Sequence, residues 1–344
     1  MSLLEEIFEQ VQSLERVIAR NRDTAAQIAQ SWHEQGVDHV LIAARGTSDN
    51  AARYAQYVWG ARNRLSVGLA APSLFSVYDS PPSLGNSAVV GISQSGESPD
   101  IVGVLAEANR QKRPTLAITN EASSPLAEEA DRVILLHAGR EVSIAATKTY
   151  TAELAAVAML SAAMQDDQGT DRVIFSVPSH VEYMLDQSED IARMAQAHSS
   201  LDRCSVVGRG FNHATAFEWA LKLQELAYVL AQPFSTADFL HGPVALVEPG
   251  FPILAVAASG PPLADVHSLL EELVERDAAL VVISDVEATL ALTSSAIRLP
   301  GDTSEWITPI PAVVGAQLFT YHLTVAKGLD PDRPRGLAKV TRTL

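Results

Sequence analysis

Residues 38–46 and 202–210 follow one pattern: an Asp, a short apolar run and a closing Arg-Gly, set 164 residues apart. Ser95-Gly96 and Ser259-Gly260 keep the same offset, and the runs TLAITN and ALVVIS keep it to within a residue. A constant offset across separate motifs marks a duplication. Any fold offered to this chain must therefore be built twice.

The order of elements narrows it further. Residues 2–35 read as helical, with Leu4, Ile7, Val11, Leu14 and Val17 near helix period. DHVLIAARG reads as a buried strand feeding a turn, AARYAQYVWGA as a helix and NSAVVGISQSG as strand and turn. DIVGVLAEANRQ then reads as a helix, TLAITN and RVILLHAG as strands, and TAELAAVAMLSAAM as a long helix. Apolar strands alternating with helices imply a parallel sheet covered on both faces. The expected class is α/β: two tandem copies, each a parallel sheet flanked by helices in a flavodoxin- or Rossmann-like three-layer αβα arrangement. The expected divisions are a helical segment over 1–35, a first domain over 36–165, a helical linker over 166–199, a second domain over 200–330 and a Pro- and Gly-broken tail over 331–344.

Composition excludes some partners. A formal net charge of −16 disfavours nucleic acid and anionic membrane surfaces, which reward clustered Lys and Arg. It leaves phosphate open, because a few amides and hydroxyls bind phosphate without a cation. Cys204 is the single cysteine, so no internal disulfide forms and no cysteine-based metal site exists. The acidic N-terminus is unlike a signal peptide, and the apolar stretch 152–164 is too short to span a bilayer. A cytoplasmic protein is expected.

The two copies differ where chemistry would lie. The first strand-to-helix loop reads Ser93-Gln94-Ser95-Gly96-Glu97-Ser98, and its sister reads Ala257-Ala258-Ser259-Gly260-Pro261-Pro262. Three hydroxyls and an amide beside the unpaired N–H groups of a helix start can surround a phosphate. Ser48, after the preceding strand, offers either a further hydroxyl or an ordinary helix cap.

In ALKLQELAYVL and the residues before it, Glu218, Lys222 and Glu225 fall on one stripe of a helix that is otherwise apolar nearly all round. Trp219, Leu223, Leu226 and Leu230 are expected on one flank. Such a stripe faces a buried or half-buried cavity. A carboxylate there serves as a proton shuttle, or the set is a structural ion pair. Glu225 is the candidate for chemistry, and Glu218 and Lys222 for support. His241 is held by the Gly242-Pro243 turn that follows it. Lys339 is one of five lysines and is either a solvated tail charge or an amine for carbonyl chemistry. Lys148 receives no role.

RGTSD, ISQSGESPD, AATKTYTAE, EWALKLQELAYVLAQPFSTADFLHGPVALVE and DPDRPRGLAKVT stand in this order over nearly the whole chain. Together they resemble the sugar isomerase (SIS) domain family, in particular the isomerase half of glutamine–fructose-6-phosphate aminotransferase and the SIS-type glucosamine-6-phosphate deaminases. The resemblance implies that Ser48, Ser93, Gln94, Ser95 and Ser98 hold the sugar phosphate. It implies that Glu225 moves a proton between C1 and C2. His241, supplied across a homodimer, opens the ring, and Lys339 lies near the open-chain carbonyl with Lys222 in support. The family's aminotransferases begin with a glutaminase domain, whereas this sequence starts MSLLEEIFE, and Cys204 sits in an expected strand. Arg45-Gly46-Thr47-Ser48 and AATK replace the aminotransferase patterns CGTS and ASTK. The expectation is a glucosamine-6-phosphate deaminase and isomerase with no metal or redox cofactor. The alternatives are an ammonia-dependent aminotransferase-like isomerase, a fructosamine-6-phosphate deglycase and a non-catalytic sugar-phosphate sensor.

Overall fold

The structure, a computed structural model, describes residues 2–165 and 168–339. Met1, the first two residues of the expected linker and residues 340–344 of the expected tail lie outside the described residues. The elements run α1 Leu3–Phe8, α2 Gln10–Glu34, β1 His39–Ala43, α3 Thr47–Asn63, β2 Ser66–Leu69, α4 Ser73–Ser76, β3 Ser87–Ile92, α5 Pro99–Arg110, β4 Thr115–Thr119, α6 Pro125–Glu129, β5 Arg132–Leu135 and α7 Lys148–Gln165. Then follow α8 Gln168–Phe175, α9 Val177–Leu185, α10 Ser188–Ala197, β6 Arg203–Gly208, α11 His213–Leu226, β7 Leu230–Phe234, α12 Thr236–Leu240, β8 Pro252–Ala257, α13 Leu263–Glu275, β9 Ala279–Ser284, α14 Glu287–Leu290, β10 Ala296–Arg298 and α15 Pro309–Ala326.

The chain forms two compact units. Among the described residues, one comprises residues 9–141, 148–165, 168–175 and 338–339, the other residues 2–8, 142–147 and 176–337. In the first, five parallel strands lie in the order β2-β1-β3-β4-β5. β3 and β4 are apolar and buried almost throughout, as a parallel sheet covered on both faces requires. Ala43, Val89 and Ala117 pack against Ile101, Val104, Leu105 and Ala108 of α5. α7 packs against α2 and α3, and every residue from Lys148 to Ala162 is buried. A helix enclosed in this way needs no polar face, which explains its run of Ala, Leu, Val and Met.

The second unit repeats the design in the order β7-β6-β8-β9-β10, again all parallel. Val207, Ile253, Ala255 and Val282 pack against Val266, Leu269, Leu270 and Leu273 of α13. α15, apolar all round, packs against α9, α10 and α11, with Trp219 meeting Phe319 edge-on at 5.7 Å. Each sheet reverses its winding between its first and third strands, which is where open α/β sheets hold ligands.

Three edge strands, β2, β7 and β10, escape a reading by apolar runs. β7 also corrects the helix expected through Leu230. α11 stops at Leu226, Tyr228 turns left-handed with φ 55°, and Leu230 pairs with Arg203 on the sheet edge, 79% exposed. Local helix-forming residues yield here to hydrogen bonding along β6, and Pro233 is tolerated because the strand is an edge. Glu225 consequently lies in the last turn of its helix. The N-terminal helical segment is likewise interrupted, at Glu9. Cys204 is buried in β6, as expected from the sequence.

Candidate active site

In the first unit, the loops after β1 and β3 leave neighbouring strands at the point where the winding reverses. The loop after β3 is shaped by its own serines. Ser93 Oγ accepts the Gly96 N–H at 3.1 Å, and Ser95 Oγ accepts the Glu97 N–H at 3.3 Å. A hydroxyl that accepts from the backbone keeps its own proton to donate. Gly96 has φ 63°, and a Cβ there would lie 2.2 Å from Ser124 Oγ, so glycine is required on both counts. Ser98 occupies the N-cap position of α5, but its side chain makes no capping bond. The cap reading therefore does not account for its hydroxyl. Gln94 is half-buried between these serines, and its carbonyl accepts the Asn120 N–H at 3.1 Å.

Ser48 lies in the first turn of α3, and its hydroxyl donates to Glu153 Oε1 at 2.8 Å. Glu153, on α7, is 1% exposed. Ser48 has a single proton and it is engaged, so in this arrangement it offers lone pairs to a ligand. In the sequence Arg45 reads only as the close of a strand. Its Nε bonds Asp100 Oδ2 at 2.8 Å, and Asp100 is a fully buried residue in the first turn of α5. The serine loop thus has a guanidinium tethered beside it. The signal that could have found it is Asp100 itself, an acid placed among the apolar residues of a helix start.

Lys339 is no free tail charge. Its Nζ lies 2.8 Å from Glu141 Oε2, a carboxylate whose side chain is fully buried and which also accepts the Thr149 N–H at 3.2 Å and the Thr149 hydroxyl at 2.8 Å. Lys148 has a structural partner set: its Nζ, 1% exposed, meets Glu9 Oε2 at 2.5 Å and the Arg140 carbonyl at 2.8 Å. That pair fastens the start of α7 to the start of α2.

In the second unit, α11 carries the stripe of Glu218, Lys222 and Glu225. Lys222 Nζ lies 2.5 Å from Glu225 Oε2 and 3.4 Å from Glu218 Oε1. Glu218 and Lys222 are buried, whereas the Glu225 side chain is 24% exposed. Burial opposes the charged form of Lys222, and the two carboxylates more than offset it, so its ammonium is held above the ordinary lysine range. The cation is clamped from the buried side and directs one accessible carboxylate. His241 ends α12, exposed, with its N–H on the Asp238 carbonyl at 3.2 Å, and Gly242 follows at φ 139°.

The sister loop after β8 is arranged differently. The Ser259 N–H donates to Asp285 Oδ1 at 2.7 Å, and its hydroxyl donates to Asp285 Oδ2. The Glu305 carboxylate packs against Gly260, where an added Cβ would lie 2.6 Å from Glu305 Cδ, and burial pushes its carboxyl up to about 6.

The SIS domain family model matches residues 35–163 and 199–327, which takes in both sheets. The chain belongs to the SIS domain family. The chain is 32% identical, over 98% of its length, to glutamine–fructose-6-phosphate aminotransferase [isomerizing] of Thermococcus kodakarensis. It spans 57% of that relative's length. A protein of Silicibacter pomeroyi DSS-3, described provisionally as a phosphosugar isomerase, superposes with a TM-score of 0.86 at 30% identity, covering 96% of this chain and 99% of that one. Glucosamine-6-phosphate deaminase of Thermotoga maritima superposes with a TM-score of 0.77 over 100% of both chains, at 20% identity, a likeness of fold alone. Among the described residues, no helix is long and apolar enough to cross a membrane.

Proposed function

We propose that the chain acts on phosphorylated amino sugars as a glucosamine-6-phosphate deaminase and isomerase. The observation that carries this is the Glu218–Lys222–Glu225 set: one half-accessible carboxylate oriented by a buried cation. Phosphate binding is assigned to Ser93, Gln94, Ser95 and Ser98, with Ser48 placed by Glu153. His241, exposed for use by a second subunit, assists opening of the pyranose. Glu225 then takes the C2 proton of the open-chain aldose, giving an enolamine, and returns it to C1. C1 becomes a hydroxymethyl group, its oxygen taking up the proton that the amino nitrogen gives up as C2 becomes an imine. Water adds to C2 and ammonia leaves, giving fructose 6-phosphate. Lys222 keeps the Glu225 carboxylate in place through both transfers, and Lys339 balances the charge that develops on the C1 oxygen.

The identity to an aminotransferase favours a second reading, in which the same proton transfer runs toward glucosamine 6-phosphate with ammonia from elsewhere. Assaying ammonia release from glucosamine 6-phosphate, and amino-sugar formation from fructose 6-phosphate with ammonium, separates the two. Glu225→Gln should lower the observed reaction by at least about a hundredfold, the scale of a lost general base. Unchanged turnover in that variant would remove Glu225 from the reaction. If the wild type binds the sugar phosphate but is inert in both assays, the proton-transfer reading fails on this substrate. Fructosamine 6-phosphates would be the next to try.

A further inference from the structure

We propose that Glu141 is the positioning residue for Lys339, and that it works by receiving the tail ammonium on a buried carboxylate. The inference rests on the function proposed above insofar as Lys339 acts on substrate. The seat itself is geometric. Glu141 is fully buried at its side chain and stands at the start of α7, where the Thr149 N–H and hydroxyl supply two donors to it. The helix start adds its positive pole. Those contacts fix the carboxylate before the tail arrives, so Lys339 Nζ at 2.8 Å closes onto a rigid acceptor. The chain crosses 198 residues to make this bond, and the lysine side chain is 25% exposed while its ammonium is engaged. A flexible tail lysine would lose most of its effect on a developing charge, because a cation a few ångströms out of place contributes little to a transition state.

The duplicated fold supplies a comparison. Glu305 lies 164 residues after Glu141, before α15 as Glu141 lies before α7. It faces Gly260 and Gly210, and burial drives its carboxyl toward the neutral form. One copy of the position meets a cation and the other faces two glycines.

The test uses the full chain and two readouts. The first is the rate at which each lysine amine is acetylated by a dilute reagent, read by mass spectrometry. Glu141→Gln keeps an oxygen for the Thr149 N–H but removes the charge, and should raise Lys339 labelling about tenfold, the worth of one charge-assisted hydrogen bond. The second is turnover of glucosamine 6-phosphate. Glu141→Gln should lower kcat by roughly tenfold to a hundredfold with KM little changed. Lys339→Ala should fall at least as far, the double variant should be no slower than Lys339→Ala, and Glu141→Asp should recover part of the loss. Labelling and kcat at wild-type values in Glu141→Gln would overturn the proposal, and so would losses that multiply in the double variant. A wild type without turnover would instead sink the function proposed above, and the labelling comparison would still decide the seat.

Discussion

The loops after β3 and after β8 occupy one position in two copies of a fold, and they differ in where their donors go. Ser95 accepts a backbone N–H and keeps its proton, whereas Ser259, 164 residues on, gives both its N–H and its proton to Asp285. A side chain at Gly96 would meet the neutral Ser124 hydroxyl, and one at Gly260 would meet the Glu305 carboxylate. In the function proposed above, the first loop receives the sugar phosphate. The second already holds carboxylates of its own chain, and a phosphate brought there would meet like charge. On the function proposed above, duplication supplied two loops, and internal acids keep the phosphate from one of them.

The largest expected effect comes from forcing a side chain into each loop. Gly96→Ala should raise KM for the sugar phosphate by at least about a hundredfold, since a Cβ meets Ser124 and the left-handed turn is lost. Gly260→Ala meets Glu305 instead and should lower the melting temperature with KM held. Equal effects of the two on KM would break the comparison.

A smaller effect separates the two serines. Ser95→Ala should raise KM about tenfold, the scale of one hydrogen bond to a charged group. Ser259→Ala leaves Asp285 without two-point contact and should cost about 1 kcal/mol of stability with no change in KM. Steady-state kinetics and urea melts of both proteins decide it.

The smallest effect is electrostatic. Folded Glu305 keeps its proton to about pH 6, while an unfolded glutamate releases it near 4.5. The native state therefore binds more protons between those values, and stability falls as pH rises through that window. Glu305→Gln removes the penalty and should gain about 1 kcal/mol at about pH 8, allowing for partial exposure, and nothing at about pH 4. A gain that is the same at both pH values would point to packing.

The sequence alone determined what is local or repeated. The duplication was legible because its offset is constant, the parallel sheets followed from buried apolar runs alternating with helices, and the serine loop stood out against its sister; the order of the strands, with edge strands that the apolar runs do not mark, came from the structure. The Glu218, Lys222 and Glu225 stripe was legible because three and four residues make one helical turn. Only the tertiary structure decided what depends on distant partners. It ended α11 at Leu226 by pairing the next residues on a sheet edge. It engaged the Ser48 proton on Glu153, 105 residues away, brought Glu9 to Lys148, and seated Lys339 on Glu141. Such contacts join side chains through the packed core, and they leave no periodic trace along the chain because the packing of α7 against its neighbours, rather than any spacing in sequence, sets which groups meet.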